Sequence, residues 1–196
     1  MERGGALLTF EHRVDETLSL RLLTSADAKD LAALVRGNLA RLSPWLPFAT
    51  EDYNDQMADG FIQATAKQWA SGQGFSAGII LDGQLAGSIG VHELSWNQGH
   101  ASLGYWVGAE AEGKGVVTRA ARALLTWMFD ESELERAEIR AATDNLRSRR
   151  LAERLGFRLE GVLRHEALLE GRWLDMAVYG LLREDWQQDA SRTAKA

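Results

Sequence analysis

The residues most suggestive of chemistry form a glycine-rich loop between a strand-like run and a helix-like run, in GYWVGAEAEGKGVVTRAARALL at positions 104–125. Positions 108–114 fit the start of the phosphate-binding P-loop pattern, but Gly115 stands where that pattern needs a serine or threonine to hold magnesium. Two carboxylates, Glu110 and Glu112, would also face a bound triphosphate and repel it. A nucleotide-hydrolysing P-loop is therefore disfavoured.

The same loop is suited to binding a diphosphate through its backbone. A strand that ends at Val107 leads through a glycine turn into a helix that begins near Gly115, so several N–H groups converge at the helix N-terminus, where the dipole is favourable to anions. Gly113 and Gly115 let the backbone approach phosphate oxygens closely, and Lys114 adds charge from the rim. A strand-to-helix turn also favours glycine for structural reasons alone. The loop by itself leaves both interpretations open.

Composition narrows the class of protein. A chain of 196 residues with 45% hydrophobic content can bury one sizeable core, and we expect one domain. The absence of cysteine excludes thiol nucleophiles and disulfides and fits a cytoplasmic location. A net charge of −6 disfavours direct nucleic-acid binding. No signal peptide or long apolar run is evident, so no membrane association is expected.

Hydrophobic periodicity predicts elements in the order β, α, α, β, β, β, α, β, α, β, β. A helix is expected behind Ser25 as N-cap and runs to Leu42, and Gly156 is expected to end a later helix. Two-residue turns at Asp82-Gly83 and Glu170-Gly171 predict hairpins. This order is typical of an α+β or three-layer α/β domain with about four helices. Flexible ends are expected outside that domain.

Four segments together resemble the GNAT superfamily of acetyl-CoA-dependent N-acetyltransferases, in particular its RimJ/RimL-type branch of protein N-terminal acetyltransferases. The segments, in the order of the family, are AGSIGVHEL at 86–94, LGYWVGAEAEGKGVVTRA at 103–120, NLRSRRLAERLGF at 145–157 and DMAVYGLL at 175–182. The resemblance implies a GNAT domain over 10–187, with flexible segments 1–9 and 188–196. It also implies a mixed, mostly antiparallel sheet with two splayed central parallel strands.

By this resemblance, acetyl-CoA is the cosubstrate and no metal is needed. Its diphosphate would bind the backbone N–H groups from Glu112 to Val117, and its pantetheine arm would lie between the strands that end near Val107 and Thr143. A backbone N–H near Trp106 or Val107 would stabilise the oxyanion. The implied cofactor-binding residues are Trp106, Val107, Glu112, Gly113, Lys114, Gly115, Val116, Val117, Asn145 and Ser148.

The sequence departs from the family at three positions. Gln or Arg is usual in the family where Glu112 stands, Gly or Ala where Val117 stands, and often Glu where Ser102 stands. An acidic side chain beside phosphates weakens binding unless it points away. We expect Glu112 to point away.

The segment NLRSRRLAERLGF supplies two further candidates. Asn145 suits a helix N-cap, and the resemblance assigns it a hydrogen bond to the cofactor arm; both roles can hold. Ser148 follows in the first helical turn and is, by resemblance, a candidate general acid that returns a proton to the CoA thiolate. A serine in a first helical turn is also ordinary.

The reaction requires a neutral amine and therefore favours a base. A protein α-amine, with a pKa near 8, needs less help than a lysine side chain. Glu93 and His92 are candidate bases at the end of the strand before the loop, and Glu51 or Asp52 could serve from the loop that covers the substrate groove. Trp45 in that loop either contacts the acceptor or anchors the loop.

Together these residues predict an acetyl-CoA-dependent N-acetyltransferase that transfers acetyl directly, since no cysteine can carry an acyl-enzyme. By resemblance, the acceptor is the N-terminal amine of a ribosomal protein. One alternative acceptor is a small amine such as a polyamine, amino acid or antibiotic. An alternative of another class is a CoA-binding module without catalysis. A homodimer is implied by resemblance only.

Overall fold

The structure is a computed structural model that describes residues 10–193 of the chain. These residues form two compact units. The first comprises residues up to His92 together with Tyr105–Ala120, and the second comprises Glu93–Gly104 and the residues from Ala121 onward. The sequence predicted one domain; the described residues divide into two units, and each unit is described by itself below. The segment 1–9, predicted to be flexible, lies outside the described residues.

Four antiparallel strands and three helices make up most of the first unit. Their bounds are β1 Glu11–Arg13, β2 Leu18–Leu22, α1 Ala28–Arg36, α2 Leu39–Leu42, α3 Asp55–Ala70, β3 Phe75–Leu81 and β4 Gln84–Ser95, whose last three residues belong to the second unit. Strand β2 pairs with β1 and β3, and β3 pairs with β4. The expected hairpin turn is confirmed, because Asp82 and Gly83 have φ angles of 49° and 79°.

Asn38 divides the helix that the sequence predicts over residues 25–42. The chain leaves the helical path at this residue, so α1 and α2 are separate helices. The side chain of Asn38 is 9% exposed, and its Nδ2 donates to the carbonyl of Leu34 over 2.8 Å. Its Oδ1 accepts from the N–H of Ala109 over 2.8 Å. The helix is therefore interrupted at Asn38, and the side chain of this residue forms a hydrogen bond to the glycine-rich loop.

The expected N-cap at Ser25 is wrong. Ser25 lies inside a 3₁₀ turn, Ser25–Asp27, whose N-cap is Thr24, and α1 begins after Asp27. The carboxylate of Asp27 accepts from the N–H of Thr24 over 2.8 Å and from both terminal nitrogens of Arg21 over 2.6 and 2.9 Å. The bidentate bond from Arg21, joined by the bonds from Thr24, lowers the pKa of Asp27 from 3.8 to about 2.

We expect Asp27→Asn to destabilise the protein at neutral pH by about 1–2 kcal/mol, because the ionised carboxylate is bound more tightly in the folded state. The lowered pKa of Asp27 means that its contribution is present above pH 3.8 and is lost as the pH falls towards 2. Urea unfolding at pH 7 and at pH 2.5 checks this. The difference between wild type and variant should shrink at the lower pH; an equal difference at both would contradict it.

The second unit carries the mixed part of the strand pairing. The remaining elements are β5 His100–Val107, α4 Val116–Thr126, β6 Arg136–Ala142, α5 Leu146–Arg154, β7 Arg158–Leu169, β8 Arg172–Leu182 and α6 Arg183–Thr193. The part of β5 from Tyr105 and the part of α4 up to Ala120 belong to the first unit. Strand β5 pairs in parallel with β6, from His100 opposite Arg136 to Ser102 opposite Glu138. Strand β8 is antiparallel to both β6 and β7. The predicted parallel pair in a mostly antiparallel arrangement is confirmed.

The prediction of about four helices is too low, since the structure has six α-helices among residues 10–193. One comes from the division at Asn38. The other is α6, which continues to Thr193 through part of the segment expected to be a flexible tail. Trp186 packs this helix against the rest of the unit. The residue is 8% exposed, and its ring centroid lies 6.1 Å from that of Phe129. Burial of this large side chain anchors α6 in the second unit.

Candidate active site

The glycine-rich loop of the first unit is open where a phosphate would approach. After β5 the chain makes a 3₁₀ turn over Ala109–Ala111 and passes through Gly113 and Gly115, whose φ angles are 72° and 69°. A Cβ atom at either glycine would meet no other heavy atom within 4 Å. Positive φ at both positions favours glycine, and the space above them is clear of the unit's own side chains.

The start of α4 presents free backbone donors. Among the described residues, the N–H groups from Gly113 to Val117 make no well-formed backbone hydrogen bond, and the first such bond runs from Arg119 N–H to the Gly115 carbonyl at 3.0 Å. The N–H of Glu112 is an exception, because it donates to the carbonyl of Ala109 over 3.1 Å. The expected contribution of the Glu112 N–H to a diphosphate site stays a prediction. The remaining donors of the predicted set are consistent with an anion cradle.

The side chain of Glu112 forms an ion pair with Arg41 at the end of α2. The carboxylate Oε2 contacts Nη2 of Arg41, and both side chains are about one-third exposed. We expected the side chain of Glu112 to point away from a bound phosphate, and the ion pair with Arg41 supplies a physical reason for that orientation. Sequence reasoning missed Arg41; the signal available was an unusual acidic residue that needed a basic partner.

The loop between α2 and α3, over residues 43–54, packs on the end of β5. Phe48 from this loop is 36% exposed, and its ring lies 6.2 Å from that of Trp106 and 5.9 Å from that of Tyr53. Trp45 is half-buried and Glu51 is exposed in the same loop. Both proposed substrate-binding residues are therefore on a segment joined to the proposed cofactor strand by aromatic contacts. Phe48 is a further lining residue that the sequence did not single out.

Val107 and Trp106 have β4 as a close neighbour in the first unit. A Cβ on Gly87 of β4 would lie 2.8 Å from Cα of Val107, too close for any side chain. The N–H of Gly108 donates to the carbonyl of Ala86 over 2.9 Å. Glycine at position 87 thus lets the two strands approach at the start of the loop.

Glu93 of the second unit has an unusual backbone and a fixed carboxylate. Its φ angle of 48° is in the left-handed region that few non-glycine residues adopt. Its Oε2 accepts from Oγ of Ser102 over 2.9 Å. A carboxylate therefore does lie beside position 102, where the family often has Glu, although it comes from β4. His92 is the last residue of β4 in the first unit and is half-buried.

Arg140 interacts with several carboxylates of the second unit, among them that of Glu93. Nε of Arg140 donates to Oε1 of Glu138 over 2.7 Å, and Nη1 of Arg140 lies 3.6 Å from Oε1 of Glu166. The bond to Glu138 raises the pKa of Arg140, and the negative charges of Glu93 and Glu166 add to that effect. Glu93 and Arg140 are thus close enough to interact electrostatically.

Asn145 caps α5 and Ser148 lies in the first turn of that helix. Oδ1 of Asn145 accepts from the N–H of Ser148 over 3.1 Å. The structural role that the sequence suggested for Asn145 is present. Its cofactor role and the acid role of Ser148 stay predictions.

In the described part of the chain, no group of three or more acidic or histidine side chains is arranged to hold a metal ion. Nor does any helix over residues 10–193 have the length and apolar character needed to cross a membrane.

Comparisons with known proteins agree with this arrangement. A family model described as an acetyltransferase (GNAT) domain matches residues 17–158. YdaF of Bacillus subtilis (strain 168), a candidate ribosomal N-acetyltransferase, is 39% identical over 91% of this chain and 98% of its own. The [ribosomal protein uS5]-alanine N-acetyltransferase of Escherichia coli (strain K12) is 31% identical over 87% of this chain and 90% of its own.

One solved structure adds a cofactor. The microcin C7 self-immunity acetyltransferase MccE, in complex with acetyl-CoA and AMP, is 26% identical with a TM-score of 0.83, over 86% of this chain and 94% of MccE. The shared fold and the extent of the sequence match define the class of this protein as acyltransferase. The chain belongs to the GNAT acetyltransferase family.

Proposed function

We propose that this enzyme transfers the acetyl group of acetyl-CoA to the N-terminal α-amine of a protein, and that the acceptor is a ribosomal protein in the cytoplasm. The observation that carries the proposal is the match, over most of both chains, to a relative named [ribosomal protein uS5]-alanine N-acetyltransferase. YdaF, which is still more similar, carries a related name.

The cofactor would be held by main-chain donors at the start of α4. Gly113 to Val117 offer N–H groups, and the open space beside Gly113 and Gly115 would accommodate phosphate oxygens. Lys114 is exposed beside them. Trp106 and Val107 precede this cradle on β5, where a backbone N–H would stabilise the oxyanion.

The transfer is direct in this proposal. The nitrogen lone pair attacks the thioester carbonyl, and the tetrahedral intermediate then expels CoA as a thiolate. Glu93 accepts the proton that the amine loses, directly or through one water. Ser148 donates its hydroxyl proton to the thiolate and takes a proton from solvent in turn. No cysteine is present to form an acyl-enzyme.

The acceptor would enter beside the loop 43–54. Trp45 and Phe48 supply apolar surface, and Glu51 supplies a negative charge that attracts a cationic amine before it is deprotonated.

Incubation with acetyl-CoA and two panels of acceptors tests the proposal. One panel contains peptides with the N-terminal sequences of ribosomal proteins, each paired with its N-terminally blocked form; the other contains polyamines, amino acids and aminoglycosides. We expect thiol release with a free α-amine peptide and none with its blocked form. Turnover only on small amines would show that the acceptor is a small amine and not a protein N-terminus. Binding of CoA without turnover on either panel would indicate a non-catalytic module.

A further inference from the structure

The ion pair between Arg41 and Glu112 has a consequence for cofactor affinity. Glu112 directly precedes Gly113, so its carboxylate lies at the edge of the proposed anion cradle. An unneutralised carboxylate there would weaken diphosphate binding, because two negative charges repel each other strongly at short range. The structure gives Glu112 a cationic partner instead.

Arg41 depends on this pairing as much as Glu112 does. Its Nε and Nη2 atoms are shielded from solvent, and Nη2 contacts the carboxylate of Glu112. A guanidinium that is partly removed from water is unfavourable without a negative partner. Without Glu112, the cation would be available to another anion at the same edge of the loop.

The start of the loop is held independently of Arg41. Asn38 accepts from the N–H of Ala109 and is itself fixed by its bond to the Leu34 carbonyl. Loss of the Arg41 side chain therefore changes the charge at the end of the 3₁₀ turn while its beginning stays attached to α1.

We propose that Arg41 is a positioning residue for acetyl-CoA: it neutralises Glu112 and holds that carboxylate out of the diphosphate cradle, so the pair sets cofactor affinity by its net charge. The inference rests on the proposed diphosphate site. It predicts opposite effects for the two single variants and a near-cancellation in the double variant.

Calorimetric titration with CoA tests this sign pattern. Arg41→Gln, which removes the positive charge of the pair, is expected to weaken binding about tenfold. Glu112→Gln, which removes the negative charge of the pair, is expected to tighten binding about threefold. The variant carrying both changes restores the wild-type net charge and should bind within about twofold of wild type. The separation between the single variants should shrink at high salt.

Three controls separate charge from structure. Arg36→Gln removes a cation whose ion-pair partner is Asp55, at 3.5 Å, and should leave the affinity unchanged. Glu110→Gln removes an exposed carboxylate from the 3₁₀ turn and should have a smaller effect than Glu112→Gln. Acetyl-pantetheine lacks the diphosphate, so its KM should be the same in the wild type, in the single variants at positions 41 and 112 and in the double variant.

The outcomes are distinguishable. Failure of the wild type to bind CoA would overturn the proposed function itself. Normal wild-type binding with both single variants weakened, or with no change in either, would overturn only the role of Arg41. A double variant as weak as Arg41→Gln would show that Arg41 acts through folding and would also overturn it.

Discussion

Replacement of Gly115 by aspartate is expected to reduce the affinity for acetyl-CoA by about a hundredfold or more, because it places a carboxylate where the diphosphate would bind. Gly115 has a φ of 69°, and a Cβ there would project into open space. The Cβ of the new side chain therefore clashes with no heavy atom beyond its two chain neighbours. Titration with CoA measures the loss.

Two controls divide the effect of Gly115→Asp into charge and backbone strain. Gly115→Asn has nearly the same shape, and asparagine tolerates positive φ, so we expect a much smaller loss of affinity. Gly83→Asp places a carboxylate at a glycine with φ of 79° and equally open space, in the β3–β4 turn. The Gly83→Asp variant should bind CoA with the affinity of the wild type. Unchanged affinity in Gly115→Asp would mean that the cradle lies elsewhere.

Glu93→Gln is expected to lower kcat/KM for a peptide acceptor about a hundredfold, within the range for loss of a general base. The variant keeps the shape of the side chain and can still contact Oγ of Ser102, which lies 2.9 Å from the native carboxylate. The affinity for CoA should not change.

Glu166→Gln is the matched control for this variant. Both Glu93 and Glu166 contribute negative charge beside Arg140, so each substitution removes one such charge from the second unit. Only Glu93 is proposed as the base. Equal losses in the two variants would show that the charge near Arg140 matters and that Glu93 has no special role; His92→Gln would then test the other candidate.

The local elements of this fold were predictable because their signals are local. Alternation of Leu18, Leu20 and Leu22 predicted β2, and the pairs Asp82-Gly83 and Glu170-Gly171 predicted turns with positive φ. The open loop followed from two glycines between a strand and a helix. These patterns involve residues that interact with near neighbours.

The features that were missed depend on partners distant in sequence. Asn38 divides the first helix because it binds the N–H of Ala109, 71 residues away. Arg41 meets Glu112 over a similar separation, and nothing in the local sequence of either residue indicates the other. Glu93 is strained in a strand that would otherwise be regular, and its bond to Ser102 joins two different strands. Tertiary contacts therefore determine the details of the site.

The pairing of Arg41 with Glu112 also implies a historical constraint. If Arg41 has the proposed role, an acidic residue at position 112 is compatible with diphosphate binding when position 41 carries a cation, whereas a chain with Gln or Arg at position 112 has no carboxylate for that cation to offset. The two positions should therefore covary among descendants of a common ancestor, with Glu at 112 accompanied by Arg or Lys at 41.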